Sequence, residues 1–154
     1  MINELTVVNQ LRDVLYAGLN PVTTPTRSDP EPEPAPPAIP VILDFPSVDK
    51  MPAGNVVWML PDYAEYEALA TQNDRALLHV RIWILCKRAP KSDLITKAYQ
   101  VYNQIYEILC EDTSLGGYVD FTDVTSTNFV EAVEENDNVQ GVFASVAIQF
   151  TKDY

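Results

Sequence analysis

The stretch Leu77-Leu78-His79-Val80-Arg81-Ile82-Trp83-Ile84-Leu85-Cys86, residues 77–86, decides the fold of this chain. Every even-numbered residue in it is apolar, whereas the odd-numbered residues include histidine, arginine and tryptophan. Successive side chains of a strand point to opposite faces, so this alternation predicts a long strand over Arg75–Lys87. One face of that strand must lie against a core, and the other face is mixed.

Further strands are predicted on both sides of this central one. Tyr63–Leu69 is predicted to continue the strand that precedes it across a bulge at Pro61-Asp62 and to form a long hairpin with Arg75–Lys87. The other predicted strands are a short one at 41–45, one at 56–60, and a last hairpin formed by 118–133 and 141–151.

Two helices are predicted from apolar residues that recur every three or four positions. The first, Asn3–Leu19, is capped by Asn3 and carries the stripe Leu5, Val8, Leu11, Leu15 and Leu19. The second, Asp93–Glu111, follows a possible cap at Ser92-Asp93 and carries Leu94, Ala98, Val101, Ile105 and Ile108/Leu109. We therefore predict one α+β domain over residues 1–154, of order α-β-β-β-α-β-β. Its mainly antiparallel sheet of four to five strands has both helices packed on one face.

A proline-rich stretch, residues 21–38, interrupts this pattern. Nine of the twelve prolines lie between Pro21 and Pro46. The run Pro30-Glu31-Pro32-Glu33-Pro34 lacks amide donors for a sheet and apolar side chains for a core, so it predicts an extended loop or arm. A passive connection and an arm that contacts a neighbouring protein both fit this composition.

Composition and charge exclude several classes of ligand. A net charge of −12 disfavours tight binding of duplex DNA and of anionic membranes, since both need concentrated Lys and Arg. No apolar run is long enough to span a bilayer, and the N-terminus does not resemble a signal peptide, so we expect folding in the cytoplasm. Cys86 and Cys110 are predicted to be free, buried thiols.

The sequence shows no catalytic constellation, phosphate loop or metal-ligand spacing. We therefore expect no enzyme activity, no cofactor and no metal. The single histidine, His79, lies inside a strand. The acidic cluster Glu131, Glu134, Glu135 and Asp137 is predicted at a hairpin tip, where it is either solvated or forms an acidic contact or channel-lining surface.

The mixed face of the central strand is the candidate interface. Arg and Trp are enriched at binding hot spots, and His79, Arg81 and Trp83 alternate on this face. The alternative is a second core layer, made by Tyr63–Leu69 folding back over the sheet. Both interpretations account for apolar side chains on a face without helices.

The order of these segments resembles the tail terminator proteins of long-tailed bacteriophages of the lambda type, and the related tail-completion proteins. The resemblance rests on Ile39-Pro40-Val41-Ile42-Leu43 after an amphipathic helix, on the strand Leu78–Ile84, and on the C-terminal Val146-Ala147-Ile148-Gln149-Phe150-Thr151-Lys152-Asp153-Tyr154. It covers most of the chain outside Pro21–Pro37.

The resemblance implies a non-enzymatic virion protein at the head-proximal end of a tail, assembled in the host cytoplasm. Such proteins form a hexameric ring that caps the tail tube, stops its polymerisation and joins the head through a connector protein, while DNA only passes through. The resemblance also implies that Glu131, Glu134 and Glu135 line the channel and that Arg81 and Trp83 contact the ring or the tube. A head-completion or neck protein, and a small acidic inhibitor-like module that binds a basic protein, are the alternatives.

Overall fold

The computed structural model describes residues 2–22, 38–47, 49–70, 73–87, 91–130 and 139–153. Its elements are α1 (Glu4–Leu19), β1 (Val41–Leu43), β2 (Gly54–Ala70), β3 (Asn73–Lys87), α2 (Lys91–Glu111), β4 (Phe121–Val130) and β5 (Val139–Asp153). This is the predicted α+β order. The predicted bulge is also present, since the β2–β3 register shifts between Pro61 and Tyr63.

The five strands form one sheet of order β1-β2-β3-β5-β4. β2, β3, β5 and β4 are successively antiparallel, which confirms a mainly antiparallel sheet. β1 pairs with β2 in parallel, so the sheet is mixed. β5 lies between β3 and β4, and α2 therefore connects two strands that are not neighbours. The alternation pattern identified these strands without specifying this arrangement.

Both helices pack on the face of the sheet predicted to be apolar. In β3 the buried side chains on this face are Leu78, Val80, Ile82, Ile84 and Cys86. They form one core cluster with the buried stripes of α1 and α2 and with Val142, Val146, Ile148 and Phe150 of β5. Burial of this apolar surface is the main stabilising contribution to the fold.

Helix α1 begins with the predicted cap. The Asn3 side chain accepts a hydrogen bond from the Thr6 amide, and Thr6 Oγ1 accepts one from the Asn3 amide (3.0 and 2.9 Å). Leu5, however, was wrongly assigned to the buried stripe, because its side chain is 67% exposed and Val7 is buried instead. At 3.6 residues per turn Leu5 lies about 120° around the helix from Leu11, at the margin of the buried face.

Two other local predictions were wrong. α2 begins at Lys91, so Ser92 lies inside the helix and is not its cap. Cys110 is exposed, although Cys86 is buried as predicted and its burial raises the pKa of its thiol. Cys110 follows Leu109 of the buried stripe, and neighbouring helical positions point in directions about 100° apart.

The N-terminus of α1 is attached to the far end of the sheet by a polar triad. The Tyr66 hydroxyl of β2 donates to Glu4 Oε1, and Lys152 Nζ of β5 donates to the same oxygen at 3.0 Å. Partial burial acts to raise the pKa of Glu4, but the bonds from Tyr66 and Lys152 outweigh it and lower that pKa. The hydrogen bond to Glu4 raises the pKa of Tyr66 to about 12.

We expect Glu4→Gln to lower the free energy of unfolding by about 0.5–1 kcal/mol at pH 7, because a partly exposed ion pair contributes little more. A carboxylate whose folded-state pKa is depressed stabilises the fold above its unfolded pKa, and this stabilisation is lost as the pH falls through the folded-state value. The difference from wild type should therefore shrink as the pH falls from the ordinary pKa of 4.5 towards the lower folded-state pKa. Urea unfolding at pH 7 and pH 3 measures this, with Glu107→Gln on the exposed side of α2 as the control. Equal stability of Glu4→Gln and wild type at pH 7 would contradict the role of the triad.

Candidate functional site

The face of the sheet opposite the helices, here called the open face, carries the odd-numbered residues of β3. Between residues 75 and 85 these are Arg75, Leu77, His79, Arg81, Trp83 and Leu85, which alternate with the core residues. Register partners share a face, so Trp58 and Tyr63 of β2 and Phe143 and Ser145 of β5 also lie on it. The three predicted interface residues, His79, Arg81 and Trp83, therefore form one row along its centre.

One end of the open face is aromatic. Trp83 lies between Phe143, at 5.4 Å between ring centroids, and Phe45, at 6.2 Å. The Arg81 guanidinium lies over the Trp83 ring at 5.4 Å from its centroid, within the range of a cation–π contact. Phe45 is 61% exposed although it packs on Trp83. This end presents apolar rings and a cation side by side.

A second, smaller core cluster adjoins this aromatic end. Leu85 is fully buried there with Met51, Val56, Trp58 and Val139, and Trp83 packs against them. The proposed second layer from Tyr63–Leu69 was wrong, because that segment continues β2 in the plane of the sheet. The residues around Met51 provide the cover instead, and in the described residues they reach only one end of the open face.

The other end of the open face carries a row of polar contacts between basic side chains of β3 and carboxylates of β2. Arg75 pairs with Glu67 at 3.1 Å, His79 with Glu65 at 3.4 Å, and Arg81 with Asp62 at 3.7 Å. The His79 ring also stacks on Tyr63 at 4.3 Å. Glu65, fourteen residues away in the chain, becomes a neighbour of His79 only through the hairpin register.

Two bulges shape the middle of the open face. β2 bulges between Pro61 and Tyr63, and β4 bulges between Val124 and Ser126. Both adjoin the same row across the sheet, in which Val80 pairs with Pro61 and with Val146. Bulges bend a strand and increase its twist. A hollow of about 300 Å³ lies there, lined by Asp62, Tyr63, His79, Val80, Arg81, Thr125, Ser126 and Ser145.

Arg81 occupies the junction between the aromatic end and this hollow. Its Nε is buried, and no hydrogen-bond partner for it exists among the described residues. Its side chain is 35% exposed, and the Asp62 carboxylate at 3.7 Å is beyond hydrogen-bond distance. An arginine that lies on an aromatic ring and keeps part of its side chain exposed is typical of the residues that contact another protein.

The remaining predicted site residues lie outside the described part of the chain. These are Glu131, Glu134, Glu135 and Asp137 of the acidic hairpin, and Pro30, Glu31, Pro32, Glu33 and Pro34 of the arm. Within the described ranges, no group of three or more His, Cys, Asp or Glu side chains is close enough to hold a metal ion. No helix in those ranges has the length and apolarity needed to cross a membrane.

Comparison with known proteins shows a likeness at the level of structure. No protein-family model matches this sequence, and no curated protein does. Over its full length the chain is similar, at 13% identity and a TM-score of 0.49, to the sheath/tube terminator of an extracellular contractile injection system, PVC, in its extended state. The chain spans 58% of the length of that terminator chain.

Proposed function

We propose that this protein is a structural subunit of a tail assembly, a tail terminator that caps the tail tube as a hexameric ring. It stops the polymerisation of tube protein and forms the surface that joins the head through a connector protein. It catalyses no reaction, and DNA passes through the ring without being held. The sequence resemblance to lambda-type terminators and the chemistry of the open face support this proposal.

The observation that carries the proposal is the cluster of Arg81, Trp83, Phe143 and Phe45 on the open face. Aromatic rings and an arginine at a partly exposed site have the composition of an interface centre. The proposed partner of this cluster is the tube protein. In the same proposal Glu131, Glu134, Glu135 and Asp137 line the channel, where like charge repels DNA phosphates, and the arm at residues 30–34 lies over a neighbouring subunit.

Co-expression with the tube protein of the same genome tests this function, with tube lengths read by electron microscopy. We expect tubes of unlimited length without this protein, and short tubes with a ring of it at one end when it is present. Long tubes in both cases would exclude a terminator. Binding to a head-side connector without any effect on the tubes would instead indicate a neck protein.

We expect Trp83→Ala to weaken binding to the tube by tenfold or more, because removing a central aromatic anchor costs about 2 kcal/mol or more of binding free energy. Tyr16→Ala is the matched control, since Tyr16 is an exposed aromatic residue on α1, away from the open face. Pelleting of preformed tubes with each variant gives the affinity, and circular dichroism checks that each variant is folded. Tube binding by Trp83→Ala at wild-type affinity would remove the open face from the interface.

A further inference from the structure

Both edges of the sheet present unpaired backbone among the described residues. β1 covers the outer edge of β2 only at Val57–Met59, which leaves the edge from Leu60 to Ala70 without a strand partner in the described part of the chain. β4 is the last strand at the other side of the sheet, along its whole length Phe121–Val130. Unpaired strand edges are templates for pairing with another chain.

The two edges are complementary in direction and in length. β2, β3, β5 and β4 alternate in direction, so β2 and β4 run antiparallel to each other. A second copy placed beside the first, with the sheet continuing, therefore brings its β4 antiparallel to β2. β4 has 10 residues, and the uncovered part of β2, from Leu60 to Ala70, has closely similar length.

The backbone donors on each edge follow from the register. The Val57 amide points outward, since it donates to the Pro40 carbonyl at 2.9 Å. Backbone amides of a strand point outward at every second residue, so the nitrogen of Pro61 also lies on the outer edge. Proline has no N–H group, and at this position none is needed for a hydrogen bond to β3. The bulge then shifts the alternation by one residue, so the outward amides beyond it belong to Ala64, Tyr66 and Ala68.

The same reasoning applies to β4. The Ser145 carbonyl of β5 faces β4, because Thr125 Oγ1 donates to it at 3.1 Å. The register then places the amides of Thr122, Val124 and Thr127 on the outer edge. Neither Leu60–Ala70 nor Phe121–Val130 contains a lysine or arginine, residues that often protect an edge, whereas Pro61 and a bulge in each strand are features that limit pairing.

An apolar groove beside the β2 edge provides a place for side chains of an added strand. It has a volume of about 330 Å³ and is lined by Glu4, Leu5, Val8, Leu43, Leu60 and Pro61. It lies where β1 stops, on the helix side of the sheet. In a continued sheet, side chains on the helix side of the added strand lie beside this groove and near the exposed Leu5.

We infer that copies of this chain associate head to tail through their sheet edges, β4 of one copy pairing with Leu60–Ala70 of the next. Such a contact uses two different surfaces, so repetition closes into a ring or extends as a chain. It would supply subunit contacts for the ring proposed above, but it is carried by the two edges and does not depend on a tube. Each copy carries a net charge of −12, so added salt should strengthen the association.

Proline variants that remove one outward amide test this pairing. Ala64→Pro blocks the β2 edge and Thr127→Pro blocks the β4 edge, while Ala64→Val and Thr127→Val are the controls that keep the amide. Thr127→Val also controls for the bond from Thr127 Oγ1 to the Tyr102 hydroxyl. Light scattering after size exclusion measures the mass of each variant against 17.2 kDa per chain.

We expect wild type and both valine variants to form multi-subunit particles at high concentration and salt. Each proline variant alone should be a monomer, and an equimolar mixture of the two should form a dimer and nothing larger. The dimer also demonstrates that both variants are folded. The inference would be overturned if a single proline variant formed particles larger than a monomer. It would also be overturned if the mixture of folded chains stayed monomeric, or if wild type were monomeric under all conditions.

The tube assay separates this inference from the proposed function. If wild type limits tube length but the proline variants still form rings, the edge pairing alone is refuted. The dimer result together with no effect on tubes would refute the terminator function alone.

Discussion

Gly141→Ala is expected to destabilise the protein by about 3 kcal/mol, near the upper end for overpacking in a filled interior. A Cβ at this position would lie 2.2 Å from the Ile84 carbonyl oxygen and 2.6 Å from Leu85 Cδ2. Gly141 pairs with Leu85 on one side and with Val130 on the other. The obstacle is therefore backbone of the central strand, which cannot move away without disturbing both neighbouring strands.

Gly117→Ala is the control for replacing a glycine at a position where the added methyl group meets no other atom. Gly117 has a φ of +89° in the turn after α2, and nothing lies within 4 Å of a Cβ built there. Its replacement should cost about 1–2 kcal/mol from the left-handed backbone alone. Urea unfolding of both variants gives the comparison. If Gly141→Ala costs no more than Gly117→Ala, the close approach of β5 to β3 is not as described.

Phe150→Ala is expected to lower the free energy of unfolding by about 3–5 kcal/mol, the usual cost of emptying a buried phenylalanine site. Phe150 is fully buried in the main core, and its cross-strand neighbour on β3 is the equally buried Ala76. A small residue beside the ring leaves few atoms that can move into the space. The cavity therefore persists and adds to the lost transfer free energy.

Phe121→Ala is the matched control, because Phe121 lies in the same terminal hairpin and is 40% exposed. We expect it to cost about 1 kcal/mol or less, as for a surface position. Thermal and urea unfolding of the two variants should differ clearly. A similar loss for both would mean that Phe150 does not occupy the centre of the core.

The predicted elements were largely confirmed because periodicity is a local property. The alternation in residues 77–86 identified both the strand and its core face, and the α2 stripe identified the buried side of that helix. Boundaries were less accurate, as Ser92 illustrates, because a helix end depends on a few hydrogen bonds of its first turn. Leu5 and Cys110 lie at the margins of apolar stripes, where small angular differences decide between core and solvent.

The open face was predicted as a row of His79, Arg81 and Trp83, and this followed from the same alternation. Its partners did not follow, since Phe143, Glu65 and Asp62 reach these residues only through hairpin registers and the bulge at Asp62. The one signal for Phe143 is that it alternates with the apolar Val142 and Ala144 in residues 141–151. Which strand it faces depends on strand order, and local pattern carries no information about that.

Side-chain periodicity was enough to predict the α-β-β-β-α-β-β order, the core face of β3 and the mixed character of the open face. The folded structure was needed to show that β5 lies between β3 and β4, that β1 is parallel to β2, and that two antiparallel edges remain unpaired in the described residues. The physical reason is that side-chain periodicity is set by neighbouring residues, whereas strand order depends on long-range packing of whole elements against a shared core.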